Sequence, residues 1–268
     1  MPEPKRAECI SRVAGRQLVP VLLVAAGVGA RPGVERLIAS GRVTLNGRVV
    51  RDVGVRADPQ RDTLAVDGCP VRLDNVCRYI ALHKPYRVLS DLGDSEGRAT
   101  VADYVPIPGV YAAGRLDYDS EGLLLLTDDN WLLHRLTHPR YDHPKTYLAL
   151  VEGIPDEQAL AQLAGGVVVK GHRTKPAEVE LLTGSREPQV PPRSVPAQQG
   201  ANVPTAWLRI VLREGRKRQI RHMTAAVGHP TLRLIRTAIG SIRLNDLAPG
   251  EWRDLTNEEL DALARMLR

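Results

Sequence analysis

The chain has no phenylalanine, and aromatic residues make up only 4% of its 268 residues. Its core must therefore be built mainly from Leu, Val, Ile and Ala, the remaining common buried types. Cysteine is scarce as well. Cys9, Cys69 and Cys77 are odd in number and show no CxxC spacing, which argues against a disulfide framework or a zinc ribbon and fits a reducing cytoplasm. Long apolar runs are missing too: Leu18–Ala26 is too short to span a bilayer and carries Pro20. Charges at Lys5, Arg6, Glu8, Arg12 and Arg16 interrupt any secretory leader. A soluble cytoplasmic protein with no membrane partner is the expectation. The hydrophobic fraction of 43% excludes a largely disordered chain.

What the chain has in excess is positive charge, with a net +6 and a pI of about 9.4. Such a balance suits a polyanionic partner or merely a solvated basic surface, and the placement of the charges decides between them. Arg209, Arg213, Arg216, Lys217, Arg218, Arg221, Arg233, Arg236 and Arg243 are opposed locally only by Glu214. That concentration favours a nucleic-acid track. Arg31, Arg36, Arg42, Arg48 and Arg51 form a second basic cluster nearer the start, suited to phosphate contacts or to simple solvation.

Turn-forming residues divide the chain. A compact first segment, 1–74, reads as helix, helix, hairpin, hairpin. Helices are expected over Val21–Ala26, stopped by Gly27, and over Gly33–Ser40, stopped by Gly41. Asn46-Gly47 between Val43–Leu45 and Val49-Val50 is a type I′ hairpin signal, and Asp67-Gly68 after Leu64–Val66 repeats it. The second segment, 75–268, alternates strands and helices. Leu123–Thr127 reads as a strand buried on both faces, followed by a helix Trp131–Leu136 capped by Asp128 or Asp129. Arg216–Val227 reads as a helix, and Thr256 with Glu259 as a capping box for Asn257–Leu267. The Pro-, Gln- and Gly-rich interval 185–204 reads as a flexible surface loop. The fold class expected is α+β: a small α/β domain, then a domain with a mixed, mostly antiparallel sheet.

Two resemblances sharpen this. Ala26–Arg31 with Glu35–Gly47 resembles an S4 RNA-binding domain, which implies that Arg31, Arg36, Arg42 and Arg48 contact RNA. This chain has Val21 where that family usually carries a Lys, and Ala30-Arg31-Pro32 in place of a Ser-Arg-Arg run. The stretch Gly114-Arg115-Leu116-Asp117-Tyr118-Asp119-Ser120-Glu121-Gly122-Leu123-Leu124-Leu125-Leu126-Thr127 resembles the signature of the RsuA-type ribosomal RNA pseudouridine synthases. So do His83-Lys84-Pro85-Tyr86, Lys145-Thr146-Tyr147, and Glu214–Arg221 with Thr231–Arg236. Within that bacterial family, Ala102–Tyr111 and Pro249–Arg253 are most similar to the large-subunit synthase E type, which generally lacks an S4 domain. Arg87 stands where the family often has Gly.

The resemblance implies an isomerase. Uracil is cut from its ribose at nitrogen, turned, and rejoined through carbon. No group is gained or lost and nothing is oxidised, so no cofactor and no metal are expected. His134 and His138, four apart, are read without a matching ligand set because Pro139 ends their helix. A carboxylate acts as nucleophile or base in such a reaction, and the resemblance places Asp117 there. Attack on the sugar, addition to the base and abstraction of a ribose proton all stay open. The same resemblance makes Arg221 the cation beside Asp117, with Lys217 and Arg218 as alternatives. It has Arg115 fill the space left by the flipped base, Tyr147 stack on uracil, and Ile220 close the other side of the pocket. Lys84, Arg216, Lys217, Arg218 and Arg236 complete the expected RNA contacts. Asp119, Asp128 and Asp129 are read as turn and cap residues. The partner implied is ribosomal RNA, more in keeping with 23S, or a ribosome-assembly intermediate, met by a monomer. Two other readings stand beside the enzyme. One is an RNA-binding ribosome-assembly protein on a synthase scaffold. The other is a glycoside-cleaving enzyme, which normally wants a second carboxylate in partnership.

Overall fold

The computed structural model describes residues 7–8, 16–59, 61–71, 76–192 and 203–267. Cys9, the expected boundary at 74/75, and positions 193–202 of the expected loop lie outside the described residues. The chain forms two compact units. One is Met1–Tyr79 with Gly109–Tyr111 and Thr127–His134; the other is Ile80–Pro108, Ala112–Leu126 and Arg135–Arg268.

The first unit opens with helix α1 (Val19–Ala25) and helix α2 (Arg31–Ala39). Each begins about two residues before the sequence pattern suggests. Pro20 and Pro32 sit in the first turns, where a missing N–H is an orphan donor anyway. Strands β1 (Val43–Leu45) and β2 (Arg48–Val50) meet at Asn46 and Gly47, with φ of 51° and 79°, as a type I′ turn requires. Strands β3 (Leu64–Val66) and β4 (Cys69–Pro70) repeat the device through Asp67 and Gly68. The sheet order is β2-β1-β3-β4. Val19, Leu23, Val34, Ile38, Val43 and Leu64 are wholly buried and form one core.

Farther along, strands β5 (Tyr79–Lys84) and β6 (Glu121–Thr127) are buried at every residue. Helix α3 (Asn130–Thr137) follows, its first turn capped by Asp129 Oδ1, which accepts from the Trp131 and Leu132 N–H groups at 3.1 and 3.2 Å. Next come strand β7 (Lys145–Glu152), helix α4 (Glu157–Gly165), strands β8 (Glu178–Leu182) and β9 (Thr205–Leu212), and helix α5 (Gln219–Ala226). Strand β10 (Thr231–Ile239), strand β11 (Trp252–Asp254) and helix α6 (Asn257–Met266), with its Thr256–Glu259 capping box, complete the chain. The main path of a nine-stranded sheet runs β8-β9-β7-β10-β6-β5-β11. β6 runs parallel to β10, whereas β10–β7, β7–β9, β9–β8 and β11–β5 are antiparallel. α4 and α5 bury Leu163, Ile220 and Met223 against Ala149, Leu208, Ile210 and Leu234 of the sheet. The α+β class and the mixed sheet are those the sequence suggests.

Two expectations need correction. α5 starts at Gln219 rather than Arg216, because Arg218 adopts a left-handed conformation (φ 55°) that no helix interior accepts. Cys77 is disulfide-bonded, while Cys69 is exposed and free. One such bond is not the disulfide framework the sequence argues against, but it departs from the reducing setting expected of these cysteines.

Candidate active site

Asp117 lies in the loop that enters β6. The loop is fixed by its backbone. Ser90 Oγ accepts the Leu116 N–H at 3.0 Å and donates to the Leu116 carbonyl at 2.9 Å. The Arg87 N–H donates to the Tyr118 carbonyl at 2.8 Å, and the Ser120 N–H to the Asp117 carbonyl at 3.0 Å. Leu116 is buried, which leaves Asp117 half-buried and Arg115 exposed on either side of it. Arg87 holds a φ of 58°, the left-handed region that glycine fills without strain. Here a non-glycine residue keeps that turn, and its guanidinium lies 5.6 Å from the centre of the Tyr86 ring.

Two contacts lock the start of β6 against β10. The Glu121 carboxylate receives Arg233 Nε at 2.9 Å and Nη2 at 2.7 Å, with both side chains buried. A buried pair is sensitive to loss of either partner, since the survivor keeps an uncompensated charge. Gly122 makes the second contact. It sits at φ 103°, and a Cβ there would stand 2.3 Å from the Arg236 carbonyl oxygen. Only glycine lets β6 approach β10 this closely, and the approach brings Arg236 beside the Asp117 loop.

Lys84 departs from its expected RNA-binding role. It is fully buried, and its ammonium donates to the Pro85 and Val88 carbonyls at 2.8 and 2.7 Å. Burial pushes its pKa down to about 7 against the pull of Glu121 and Asp119. A side chain so enclosed cannot reach a phosphate. It braces the turn that carries Arg87 and, through it, the Asp117 loop.

The loop borders a cleft of about 660 Å³ in the second unit. Eight expected site residues line it: Arg115, Asp117, Tyr147, Arg216, Lys217, Arg218, Ile220 and Arg236. Tyr147, on β7, and Ile220, on α5, belong to one apolar cluster, so an aromatic face and an apolar wall stand in the cleft with the carboxylate. Arg115 is held at the rim by an ion pair with Asp91, one contact of which is 2.7 Å.

Arg221 makes its direct contacts with Asp119 rather than with Asp117. Its Nη2 donates to the Asp119 carbonyl at 2.7 Å and lies 3.4 Å from the Asp119 carboxylate; its Nη1 donates to the Thr231 carbonyl at 3.0 Å. Arg218 grips the same carboxylate bidentately, at 2.7 and 2.9 Å. Asp119 is thus the anion that gathers both arginines, a role beyond the turn assigned to it. Burial pushes its carboxyl up, but Arg218 and Arg221 together outweigh that and hold it below the usual range. The Asp117 carboxylate makes no ion pair or hydrogen bond among the described residues, although its charge acts on both Arg218 and Arg221. One signal for Asp119 was present in the sequence. Arg218 and Arg221 are three apart in a chain stretch with few acids, and two such cations favour a carboxylate in reach, although Arg218 stands at the N-cap, outside α5.

Residues 78–226 match the model of the RNA pseudouridylate synthase family, and residues 17–61 match the S4 domain. This chain belongs to the RNA pseudouridylate synthase family. Among its relatives, ribosomal large subunit pseudouridine synthase E of Vibrio parahaemolyticus is 49% identical over 178 residues, which is 66% of this chain and 74% of that one. Ribosomal large subunit pseudouridine synthase B of Bacillus subtilis is 37% identical over 240 residues, 89% of this chain and 91% of that one. A crystal structure of a pseudouridylate synthase superposes with a TM-score of 0.61 at 27% identity, covering 92% of this chain and 99% of the other. The higher identity comes with the shorter match, and the lower identity spans both units. That is the mixture of subgroups the sequence suggests. In this pseudouridylate synthase, Arg31, Arg36, Arg42 and Arg48 of the S4 domain are all exposed. Arg31 pairs with Glu35, and Arg42 with Asp67.

Proposed function

We propose that this chain converts a uridine of large-subunit ribosomal RNA to pseudouridine, with Asp117 as the catalytic carboxylate. The observation that carries the reading is the position of Asp117. It is half-buried in a cleft beside Tyr147 and Ile220, and unlike Asp119 it has no ion pair of its own among the described residues. Such a carboxylate is free to meet the substrate, while Arg218 and Arg221 keep the neighbourhood positive. The reaction balances within the nucleotide. The bond from ribose C1′ to N1 breaks, a bond from C1′ to C5 forms, the C5 proton leaves, and N1 gains one.

The target base leaves its stack at a cost of a few kcal/mol. Stacking on an aromatic ring returns about 1–3 kcal/mol, and Tyr147 supplies that ring. Arg115 occupies the vacated space once it lets go of Asp91. That exposed pair is worth at most about 1 kcal/mol, so it is easily exchanged for RNA. The large subunit is favoured because the two named relatives above, of both subgroups, carry it in their names. We infer a cytoplasmic setting from that substrate; no described helix is long and apolar enough to cross a membrane. We also infer that the chain works as two domains near 1–74 and 75–268, the first guiding RNA to the second.

The test is tritium release from unmodified small- and large-subunit ribosomal RNA labelled at uracil C5, with wild type and Asp117→Asn. Release is expected from the large-subunit RNA alone, falling by at least about 10³-fold in the variant while RNA binding is retained. Equal release by the variant would overturn the role of Asp117. Tight RNA binding without release by the wild type would favour an RNA-binding assembly protein instead.

A further inference from the structure

We propose that Lys145 and Arg236 form a phosphate subsite that holds the backbone phosphate of the flipped uridine. The inference rests on the isomerase reading above and adds a contact that the reading does not supply.

Arg236 is only 3% exposed, yet it borders the cleft. Its Nε donates to the Leu123 carbonyl at 2.7 Å, which fixes the guanidinium, whereas Nη2 is buried with no hydrogen-bond partner. No carboxylate pairs with it among the described residues. An enclosed guanidinium left this way is costly, and the approach of β6 at Gly122 holds it in place. Lys145 borders the same cleft, and its ammonium donates only to the His143 carbonyl, at 3.2 Å, among the described residues. Asp142 acts on it from nearby but is itself engaged by Lys175 at 2.6 Å.

The two cations repel. Burial, and then the charge of Arg236, push the Lys145 pKa down to about 8. An anion between them relieves both. A uracil carbonyl satisfies a donor but does not neutralise two charges. The resident formal anion of RNA is its phosphate, and a guanidinium binds it with two parallel N–H groups. The location gives the contact a purpose. Arg236 is paired with Tyr147 across β10 and β7, so a phosphate there lies next to the nucleotide whose base stacks on Tyr147. Once the glycosidic bond breaks, base and ribose are separate pieces. Tyr147 keeps the base, and Lys145 with Arg236 keep the ribose through its phosphate while uracil turns.

Calorimetric titration with uridine, uridine 5′-monophosphate and uridine 3′-monophosphate tests this, using the full chain as wild type, Arg236→Met, Lys145→Met and Arg236→Lys. One monophosphate should bind the wild type at least about tenfold more tightly than uridine, as a charge-assisted contact predicts. Which one it is identifies the phosphate held. Arg236→Met and Lys145→Met should each bring the preference to within about twofold, while Arg236→Lys, which keeps the charge but loses the two parallel N–H groups, retains only part of it. Lys145→Met guards against misfolding at the buried arginine, and melting curves report on each variant. The proposal is overturned if neither monophosphate is preferred up to millimolar concentration, or if the preference survives in both Met variants. Nucleotide binding does not depend on which RNA is modified. Loss of tritium release with the preference intact therefore removes the substrate assignment alone, and the reverse pattern removes the subsite alone.

Discussion

Lys84 shows what single residues reveal and conceal in this chain. In the sequence it is one more cation in a basic protein, and an RNA contact is the natural reading. Its burial is set by tertiary packing: every residue of β5 is enclosed, and Lys84 ends that strand. The consequence is a pH dependence of stability. The folded pKa of about 7 lies below the ordinary 10.5, so between those values the unfolded chain binds more protons. The penalty for burying the ammonium is complete below pH 7 and is relieved as pH rises toward 10.5. Stability from this group therefore rises with pH, by about 1.4 kcal/mol per unit at most. Lys145, pushed down to about 8, adds the same sign above pH 8. Urea denaturation of wild type and Lys84→Met at pH 7, 8 and 9 should show the wild type gaining on the variant at each step. A constant gap would mean that Lys84 is not charged and buried as described. The Arg221 position has a similar lesson. The motif identifies the residue, but its partner depends on where α5 starts, and the left-handed Arg218 that sets this start carries no signature in the sequence.

At the scale of elements, local chemistry was legible wherever it acts alone. Asn46-Gly47 dictates its hairpin by backbone sterics, Thr256 and Glu259 satisfy each other's helix end, and the run Leu123–Thr127 has no polar side chain before Thr127 to turn outward. What stayed hidden depends on a neighbour distant in sequence. Glu121 and Gly122 look like ordinary turn residues until β10 places Arg233 and the Arg236 backbone against them. Arg87 lies between these cases. The residue type departs from the glycine common in the family, yet its φ of 58° is the one glycine favours. Relieving that conformation gives a direct test. Arg87→Gly should stabilise the folded chain or leave it unchanged, within about 1 kcal/mol, because relief of left-handed strain is offset by the extra entropy of an unfolded glycine. Arg87→Val should destabilise it by about 1–2 kcal/mol, since a β-branched residue is least tolerant of positive φ. Thermal melts of the three proteins separate these outcomes. A Val variant as stable as wild type would show that the turn has rearranged.

For the whole molecule, the question is what the S4 domain adds to a catalytic unit that carries its own basic cleft. Four exposed arginines, two of them already in surface ion pairs, form a surface suited to guiding RNA. Exposed pairs of this kind are worth little, so Arg31 and Arg42 remain available to phosphates. Each phosphate contact releases counterions and steepens the salt dependence of binding by about 0.7–0.9 in the log–log slope. Replacing Arg31, Arg36, Arg42 and Arg48 together with Ser should therefore flatten the slope by about 3. Activity should fall mainly through a higher KM for large-subunit RNA. Asp117→Asn should give the converse, with the slope kept and turnover lost. If the quadruple variant keeps the wild-type slope, the first unit does not touch the RNA backbone, and its basic face serves solubility alone.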